Sequence, residues 1–99
     1  MDHTIVLGNF EWDFEKNHIN SLKHGVNFET ACRAFEDSKG FYTFDSGHSH
    51  WESRWTFLGK TDGRVMSVRL TFRNGKIRIV GAGFWRKGRK IYEEENTPQ

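Results

Sequence analysis

The dipeptide Asn74-Gly75 separates two runs of alternating apolar and polar residues, 64–73 and 76–82, and it constrains the fold more than any other sequence feature. Asn-Gly between such runs is the strongest short-range signal for a β-hairpin, because both residues of the two-residue turn adopt positive φ. The turn also sets the register of the two strands. It predicts that Phe72 pairs with Ile77, Thr71 with Arg78, and Leu70 with Ile79.

A second turn signal, Asp62-Gly63, predicts that the preceding segment pairs with 64–73 as well. The predicted pairs are Phe57 with Val68, Trp55 with Leu70, and Arg54 with Thr71. The two registers agree, and side chains alternate between the two faces of a strand. One face is therefore predicted to be apolar, with Trp55, Phe57, Met66, Val68, Leu70, Phe72, Ile77 and Ile79. The opposite face, named here the arginine face, carries Arg54, Thr56, Ser67, Arg69, Thr71 and Arg78.

The N-terminal part of the chain predicts one strand and a helix. Residues 4–11 have the pattern of a strand whose inward side chains are Ile5, Leu7 and Phe10. Asp13 is typical of an N-cap, and Gly25 of the left-handed residue that ends a helix, so we expect a helix over 14–23. Its expected core contacts are Trp12 and either Ile19 or Leu22.

A second short helix is predicted after Asn27, another N-cap residue. Phe28, Ala31, Cys32 and Phe35 then form one apolar stripe, so Cys32 is interpreted as a packing residue rather than a nucleophile. Residues 41–44 predict a short strand, 45–50 a loop, and 84–92 a basic helix that Gly88 weakens and that packs through Trp85, Ile91 and Tyr92.

These elements predict an α+β fold in which two N-terminal helices pack on one face of an antiparallel sheet. The sheet has four strands, or five if the N-terminal segment joins it, and the basic helix follows at the C-terminus. We expect one domain over residues 1–99, with a frayed tail at about 94–99.

Charge and cysteine content limit the class of protein. Residues 54–89 contain ten basic side chains and a single acidic one, Asp62, which indicates an anionic partner, nucleic acid before any other. The lone cysteine, Cys32, excludes an intramolecular disulfide and is typical of a reducing cytosol. No apolar run approaches the roughly 20 residues that span a bilayer, and no signal peptide opens the sequence, so we expect a cytoplasmic protein without a membrane partner.

The histidine-rich segment invites a metal-site interpretation. His48, His50 and Glu52 can share one side of an extended segment, but zinc sites use spaced ligand pairs with further ligands. A flexible polar loop is the favoured alternative, and we expect neither a metal ion nor a cofactor.

The arginine face suggests RNA cleavage by internal attack of the 2′-hydroxyl. That reaction needs positive charge at the phosphate, which Arg54, Arg69 and Arg78 supply, and a group that transfers protons. His24 and Glu52 are the candidates for proton transfer. The alternative is an ordinary solvated sheet face covered by long basic side chains. Substrate contacts are expected from Lys23, Trp85, Arg86 and Tyr92, although Trp85 and Tyr92 can equally pack on the sheet.

The sequence resembles the BrnT-type toxins over about nine-tenths of its length. The motifs that carry the likeness are Phe10-Glu11-Trp12-Asp13, Lys16, Asn17, Lys23-His24-Gly25-Val26, Phe28-Glu29, Ala31, Glu52-Ser53-Arg54-Trp55, Gly59, Ile77-Arg78-Ile79-Val80 and Arg89-Lys90-Ile91-Tyr92-Glu93. Val80-Gly81-Ala82-Gly83 departs from the family's usual Ile-Ser-Ala-Arg, and Gly88 stands where the last helix usually has Glu. Arg86 or Lys87 is the expected replacement for the missing arginine.

The resemblance implies a bacterial type II toxin with a RelE-like ribonuclease fold, which has helices on one side of its sheet and RNA on the other. It implies a metal-independent endoribonuclease that inhibits translation and growth. The implied partner is a ribbon-helix-helix antitoxin of the BrnA type, through which the complex contacts DNA. The alternative is a degenerate, non-catalytic module that docks an antitoxin or nucleic acid through its basic sheet face.

Overall fold

The computed structural model describes residues 3–98, within which six strands form one mixed sheet and three α-helices pack around it. The strands are β1 Thr4–Leu7, β2 Phe10–Asp13, β3 Phe41–Phe44, β4 Trp55–Thr61, β5 Arg64–Arg73 and β6 Lys76–Gly83. The helices are α1 Phe14–His24, α2 Phe28–Cys32 and α3 Arg86–Glu95, with short 3₁₀ helices at Arg33–Glu36 and Ser46–His48. The strand order is β1-β2-β6-β5-β4-β3. The α+β class is confirmed, but the predicted four- or five-stranded antiparallel sheet is wrong, because β2 and β6 pair in parallel.

The N-terminal segment forms a hairpin rather than the single strand predicted over 4–11. Gly8 has a φ of 60°, and the chain reverses there so that β1 and β2 pair antiparallel. Ile5 and Leu7 consequently lie on the edge strand, 40% and 46% exposed, and the prediction that they face the core is wrong. Phe10 does pack inward, with its ring 5.1 Å from that of Phe35.

The central meander confirms both predicted registers. Phe72 pairs with Ile77 across the Asn74-Gly75 turn, and Trp55 pairs with Leu70 across the Asp62-Gly63 turn. Beyond Leu70 the register shifts, so that Arg69 lies opposite Gly81 and Val80 has no partner on β5. This β-bulge lies beyond the predicted pair of Thr71 with Arg78, so Arg69 and Arg78 keep their predicted diagonal positions on the two strands.

Helix α1 begins and ends where the sequence predicts. The carboxylate of Asp13 accepts a hydrogen bond from the backbone N–H of Lys16, and Gly25 has a φ of 69°. Of the predicted core contacts of this helix, Trp12 is confirmed as a buried core residue, whereas Ile19 and Leu22 are wrong, because they are 55% and 77% exposed.

Helix α1 is held instead by the buried side chain of Asn20. Its amide donates to the carbonyl of Ala82 at 2.9 Å, and its carbonyl accepts from the N–H of Ala82 at 3.2 Å. The pairing of β2 with β6 ends at Ile79, so Asn20 provides the hydrogen bonds that another strand residue would make. One side chain thus completes the edge of β6.

The apolar face of the sheet is covered by α2 and the 3₁₀ helix that follows it. Phe28 and Ala31 are fully buried there, and Asn27 caps α2 as predicted. Cys32 is half-buried, with its Sγ 3.3 Å from the carbonyl oxygen of Phe28. Burial, followed by the nearby Glu29, raises the pKa of Cys32 to about 11. The thiol is therefore protonated at neutral pH, in agreement with a packing role.

Helix α3 lies across part of the arginine face, which places helices on both sides of the sheet. A Cβ at Gly88 would stand 2.0 Å from Oγ of Ser67, so the absent side chain allows the helix to approach β5 closely. Tyr92 is buried with Leu58 and Val65, and its hydroxyl donates to Asp37 at 2.5 Å. The expectation that helices occupy one side only is therefore wrong. None of the helices within the described part of the chain is long and apolar enough to cross a membrane.

Candidate functional site

A cleft of about 440 Å³ lies between α3 and the part of the arginine face that the helix leaves uncovered. Its walls contain two basic side chains, an Asp-His pair and two aromatic rings: Arg69, Lys87, Asp45, His48, Phe44 and Trp85. A smaller cavity of about 120 Å³ shares Asp45, His48 and Arg69 with it and adds Lys16 and Arg54. The two cavities together are named here the basic cleft. They bring together cationic groups from α1, β5, α3 and the segment before β4.

Arg69 belongs to the basic cleft, as the sequence predicts for the arginine face. Its side chain is exposed, and its guanidinium lies 4.7 Å from the centre of the Trp85 ring. The ring of His24 packs edge-on against the same tryptophan, with centroids 5.2 Å apart. Trp85 therefore supports Arg69 through a cation–π contact. His24 contacts the cleft wall through Trp85 and does not itself line the cleft.

The loop that supplies Asp45 and His48 is held in place by its own hydrogen bonds. The hydroxyl of Ser49 donates to the carbonyl of Asp45 at 2.5 Å and accepts from the N–H of Arg54 at 2.9 Å. The N–H of Asp45 donates to the carbonyl of Arg54 at 2.9 Å, which closes the base of the loop. The predicted flexible loop is thus a closed turn.

His48 pairs with Asp45 through its Nδ1, at 2.8 Å from Oδ2. Glu52, the third residue of the metal interpretation, is bound to arginines instead. Among residues 3–98, no three side chains of the kinds that bind metals come together as a site.

Glu52 bridges two arginines beside the basic cleft. Its carboxylate accepts from Nε of Arg54 at 2.9 Å and from Nη2 of Arg73 at 3.0 Å. The hydrogen bond from Arg73, followed by the charge of Arg54, holds the pKa of Glu52 below its usual range. A carboxylate in this state is a weak base and is not protonated at neutral pH. Its geometry is that of a group that fixes the two guanidinium groups.

Arg78 lies outside the basic cleft, which corrects its predicted place beside Arg54 and Arg69. Arg78 is 8% exposed, and its Nη1 lies 2.5 Å from the carboxylate of Glu11. Glu11 is itself 5% exposed. The loop 49–54 passes near this region, since Thr71 donates to the carbonyl of Ser53 at 2.7 Å. Arg78 is thus engaged in a buried ion pair.

The predicted substrate contacts divide into three groups. Trp85 lines the basic cleft, and Arg86 lines a second groove of about 470 Å³ on the other side of α3, where Lys60, Arg64 and Arg89 also lie. Trp85 borders both the basic cleft and this second groove, and so joins them. Tyr92 is 4% exposed and bonded to Asp37, which corrects its predicted contact with substrate. Lys23 is exposed but lines neither cavity.

The sequence did not indicate Lys16 or Asp45 as site residues, it suggested Lys87 only as a replacement for the missing arginine, and it suggested His48 only as a metal ligand. Asp45 and His48 are three residues apart, a spacing that brings the two side chains together on one turn of 3₁₀ helix. That spacing is the sequence signal from which the pairing of Asp45 with His48 could have been predicted. Lys16 could not be identified, because its place depends on how α1 lies beside β6.

A comparison with protein-family models matches residues 12–88 of the chain to the family described as "Ribonuclease toxin, BrnT, of type II toxin-antitoxin system". The match covers most of the chain, including Lys16, Asp45, His48, Arg54, Arg69, Trp85 and Lys87. A search of curated proteins found no match.

Proposed function

The chain belongs to the BrnT family of ribonuclease toxins of type II toxin–antitoxin systems, and from this membership we propose that it is a metal-independent endoribonuclease that inhibits translation and growth. The observation that carries the proposal is the basic cleft, whose two cavities share Arg69 and are lined further by Lys87 in the larger and by Lys16 and Arg54 in the smaller. Four cations from separate elements converge there. Such an arrangement suits a polyanion whose phosphate enters the cleft.

The cationic groups supply the charge that RNA cleavage requires. Attack of a 2′-hydroxyl on the adjacent phosphorus builds negative charge on the non-bridging oxygens, and positioned cations stabilise that charge. Arg69 is the strongest candidate, because its guanidinium is exposed and is supported by the ring of Trp85. Arg54 is the second candidate, with its orientation fixed by Glu52. Lys87 stands in the cleft wall, where it can replace the arginine that the family carries before its last helix.

The aromatic side chains and the second groove suit a single-stranded substrate. Phe44 and Trp85 present rings to the basic cleft, and unstacked bases bind such rings in a sequence-tolerant way. Trp85 also borders the second groove, where Arg64 and Arg86 can contact the flanking backbone. The substrate is therefore proposed to be single-stranded RNA that crosses the N-terminal end of α3.

The sequence suggests two proton carriers, Glu52 and His24, but neither has a direct route to a substrate in the basic cleft. Glu52 is bound by two arginines, and His24 lies against Trp85 outside the cleft. In this proposal Glu52 fixes Arg54, and His24 supports Trp85.

The expected partner is an antitoxin, since the family belongs to type II toxin–antitoxin systems. We propose that it is a ribbon-helix-helix protein of the BrnA type, that DNA is contacted only through it, and that the toxin acts in the cytoplasm. A charged surface of this kind favours a partner that covers the cleft with acidic groups.

Cleavage of bulk RNA by the purified chain, in the presence and absence of a metal chelator, tests the proposal. We expect equal cleavage in both conditions, products with 2′,3′-cyclic phosphate and 5′-hydroxyl ends, and growth arrest on expression. The matched control is a chain with Arg69→Ala and Lys87→Ala together. Retained RNA binding without cleavage by the parent chain, or harmless expression, would support the non-catalytic binding module instead.

A further inference from the structure

We propose that His48, held by Asp45, is the general base that removes the proton from the attacking 2′-hydroxyl. This inference rests on the proposed ribonuclease activity and assigns its proton-transfer step to a pair that neither the sequence motifs nor the family match identifies. The pair lines both cavities of the basic cleft, together with Arg69. A base and a phosphate-binding cation thus border the same space.

The hydrogen bond to Asp45 determines which ring nitrogen of His48 can act as a base. A carboxylate only accepts hydrogen bonds, so the contact of 2.8 Å between Oδ2 and Nδ1 places a proton on Nδ1. In the neutral imidazole Nε2 then carries the lone pair. A carboxylate on Nδ1 also stabilises the imidazolium that forms when Nε2 takes up a proton.

The pair is built on a closed turn, so its geometry is maintained without substrate. Ser49 connects Asp45 with Arg54, and the backbone of Asp45 is bonded to that of Arg54. Arg54 is in turn fixed by Glu52. His48 itself is largely exposed, with 69% of its side chain accessible, so it can reach a bound nucleotide. An anchored carboxylate beneath an accessible imidazole is the arrangement that general-base catalysis needs.

The proposed step balances without a metal ion or a second reactant. The 2′-oxygen forms a bond to phosphorus while the bond between phosphorus and the 5′-oxygen breaks. The proton of the 2′-hydroxyl moves to Nε2 of His48, and the departing 5′-oxygen takes up a proton from water. Arg69 and Lys87 stabilise the charge on the non-bridging oxygens. The products are a 2′,3′-cyclic phosphate and a 5′-hydroxyl, after which His48 returns its proton to solvent.

Four further candidates for proton transfer, Glu52, Tyr92, Cys32 and His24, are engaged elsewhere. Glu52 is bound by Arg54 and Arg73, Tyr92 is buried against Asp37, and Cys32 is half-buried on the opposite side of the sheet. His24 packs on Trp85 outside the cleft. His48 is the histidine that lines the basic cleft in the described part of the chain.

The test compares His48→Gln, Asp45→Asn and the control His50→Gln in single-turnover cleavage of a defined RNA. His50 is exposed in the same loop but lines neither cavity of the cleft. We expect His48→Gln to slow cleavage by about 100- to 10,000-fold, and His50→Gln to cleave at the parental rate. Asp45→Asn should slow cleavage as well, because the amide no longer fixes the tautomer of His48.

Two further measurements separate catalysis from binding and from folding. Affinity for a 2′-O-methyl RNA, which cannot be cleaved, should be unchanged in His48→Gln within about threefold, whereas loss of binding would indicate a structural role and overturn the assignment. Added imidazole should restore part of the cleavage by His48→Ala, which a misfolded variant would not show. Parental cleavage by His48→Gln would overturn this inference alone. Absence of cleavage by the parent chain would overturn the ribonuclease proposal on which it rests.

Discussion

Glu11 and Arg78 pair directly across the parallel strands β2 and β6, and their side chains form a buried ion pair of 2.5 Å. The pair joins the N-terminal hairpin to the meander. Removal of one charge leaves the other buried without compensation, which costs about 3–5 kcal/mol. We therefore expect Arg78→Met to lower the free energy of unfolding by that amount, as measured by urea unfolding followed through tryptophan fluorescence.

The double variant Glu11→Leu/Arg78→Met is the matched control, because it removes both charges and keeps similar volumes. It should recover most of the lost stability. The folded fraction of Arg78→Met should still cleave RNA, since Arg78 lies outside the basic cleft. If the Arg78→Met variant were stable but did not cleave RNA, Arg78 would be needed for cleavage and the prediction would be wrong.

Arg69 is predicted to be the arginine on which cleavage depends most. Its guanidinium is exposed in the basic cleft and contacts the ring of Trp85 at 4.7 Å. Loss of one group that stabilises transition-state charge typically costs about 100- to 1000-fold in rate. We expect Arg69→Ala to lower single-turnover cleavage by this factor while urea unfolding changes little.

The control for Arg69→Ala is Arg33→Ala, which removes an arginine that is also exposed. Arg33 pairs with Asp62, away from the cleft. Equal losses of cleavage in the two variants would mean that net charge alone is responsible.

Glu52→Gln distinguishes a fixing role from a proton-transfer role. The lowered pKa of Glu52 follows from the hydrogen bond of Arg73 and the charge of Arg54. Replacement by the neutral amide releases positive charge beside the cleft. We expect RNA to bind more tightly, with a steeper dependence on salt, and cleavage to remain within about tenfold of the parent. A far larger loss of cleavage with retained binding would identify Glu52 as the proton carrier.

Tyr92→Phe is predicted to flatten the dependence of stability on pH. Partial burial opposes the shift, but the hydrogen bond from Tyr92 and those from the backbone of Lys60 and Lys39 hold the pKa of Asp37 below its usual value. Burial and the adjacent Asp37 raise the pKa of Tyr92 to about 12.

The direction of the pH dependence of stability follows separately for Asp37 and for Tyr92. Asp37 contributes stability above its unfolded pKa, and the contribution is lost as pH falls through the lowered folded pKa. Tyr92 contributes stability below its unfolded value near 10, and the contribution is lost as pH rises through about 12. Tyr92→Phe should cost about 1 kcal/mol at neutral pH, since Asp37 is only half-buried. Urea unfolding at acidic, neutral and alkaline pH checks this, and a parallel loss at every pH would contradict it.

Gly88→Ala tests the close approach of α3 to the sheet. Alanine in place of glycine favours a helix by about 1 kcal/mol, but the new Cβ would lie 2.0 Å from Oγ of Ser67 and 2.9 Å from Leu58. Overpacking of this kind costs about 1–3 kcal/mol, so we expect a net loss of stability. Ser67→Ala combined with Gly88→Ala should recover part of it. A more stable Gly88→Ala variant in thermal unfolding would contradict the close contact.

Local turn chemistry explains what the sequence predicted well. Asp62 and Asn74 both have positive φ, 52° and 54°, as the registers of the meander require. The two predicted helix N-termini, at Asp13 and Asn27, also depend on local contacts, since each needs only one side chain and one backbone N–H.

The features that the sequence did not predict depend on contacts between distant segments. The bulge at Val80 and the ion pair of Arg78 with Glu11 are two examples, and nothing in the alternating pattern of β6 indicates either. Asn20 was one polar residue among several on α1 until its bonds to Ala82 gave it a role. Gly88 was interpreted as a weakness of the last helix, whereas it permits the contact that positions Lys87.

The parallel pairing of β2 with β6 also bears on the order in which the fold assembles during synthesis. Glu11 and Arg78 are 67 residues apart, so their contact closes a long loop and cannot form until the segment that contains Arg78 has left the ribosome. The basic cleft is completed later still, because Lys87, which lines it, belongs to α3. The surface proposed to bind RNA is therefore completed only after the meander has been synthesised.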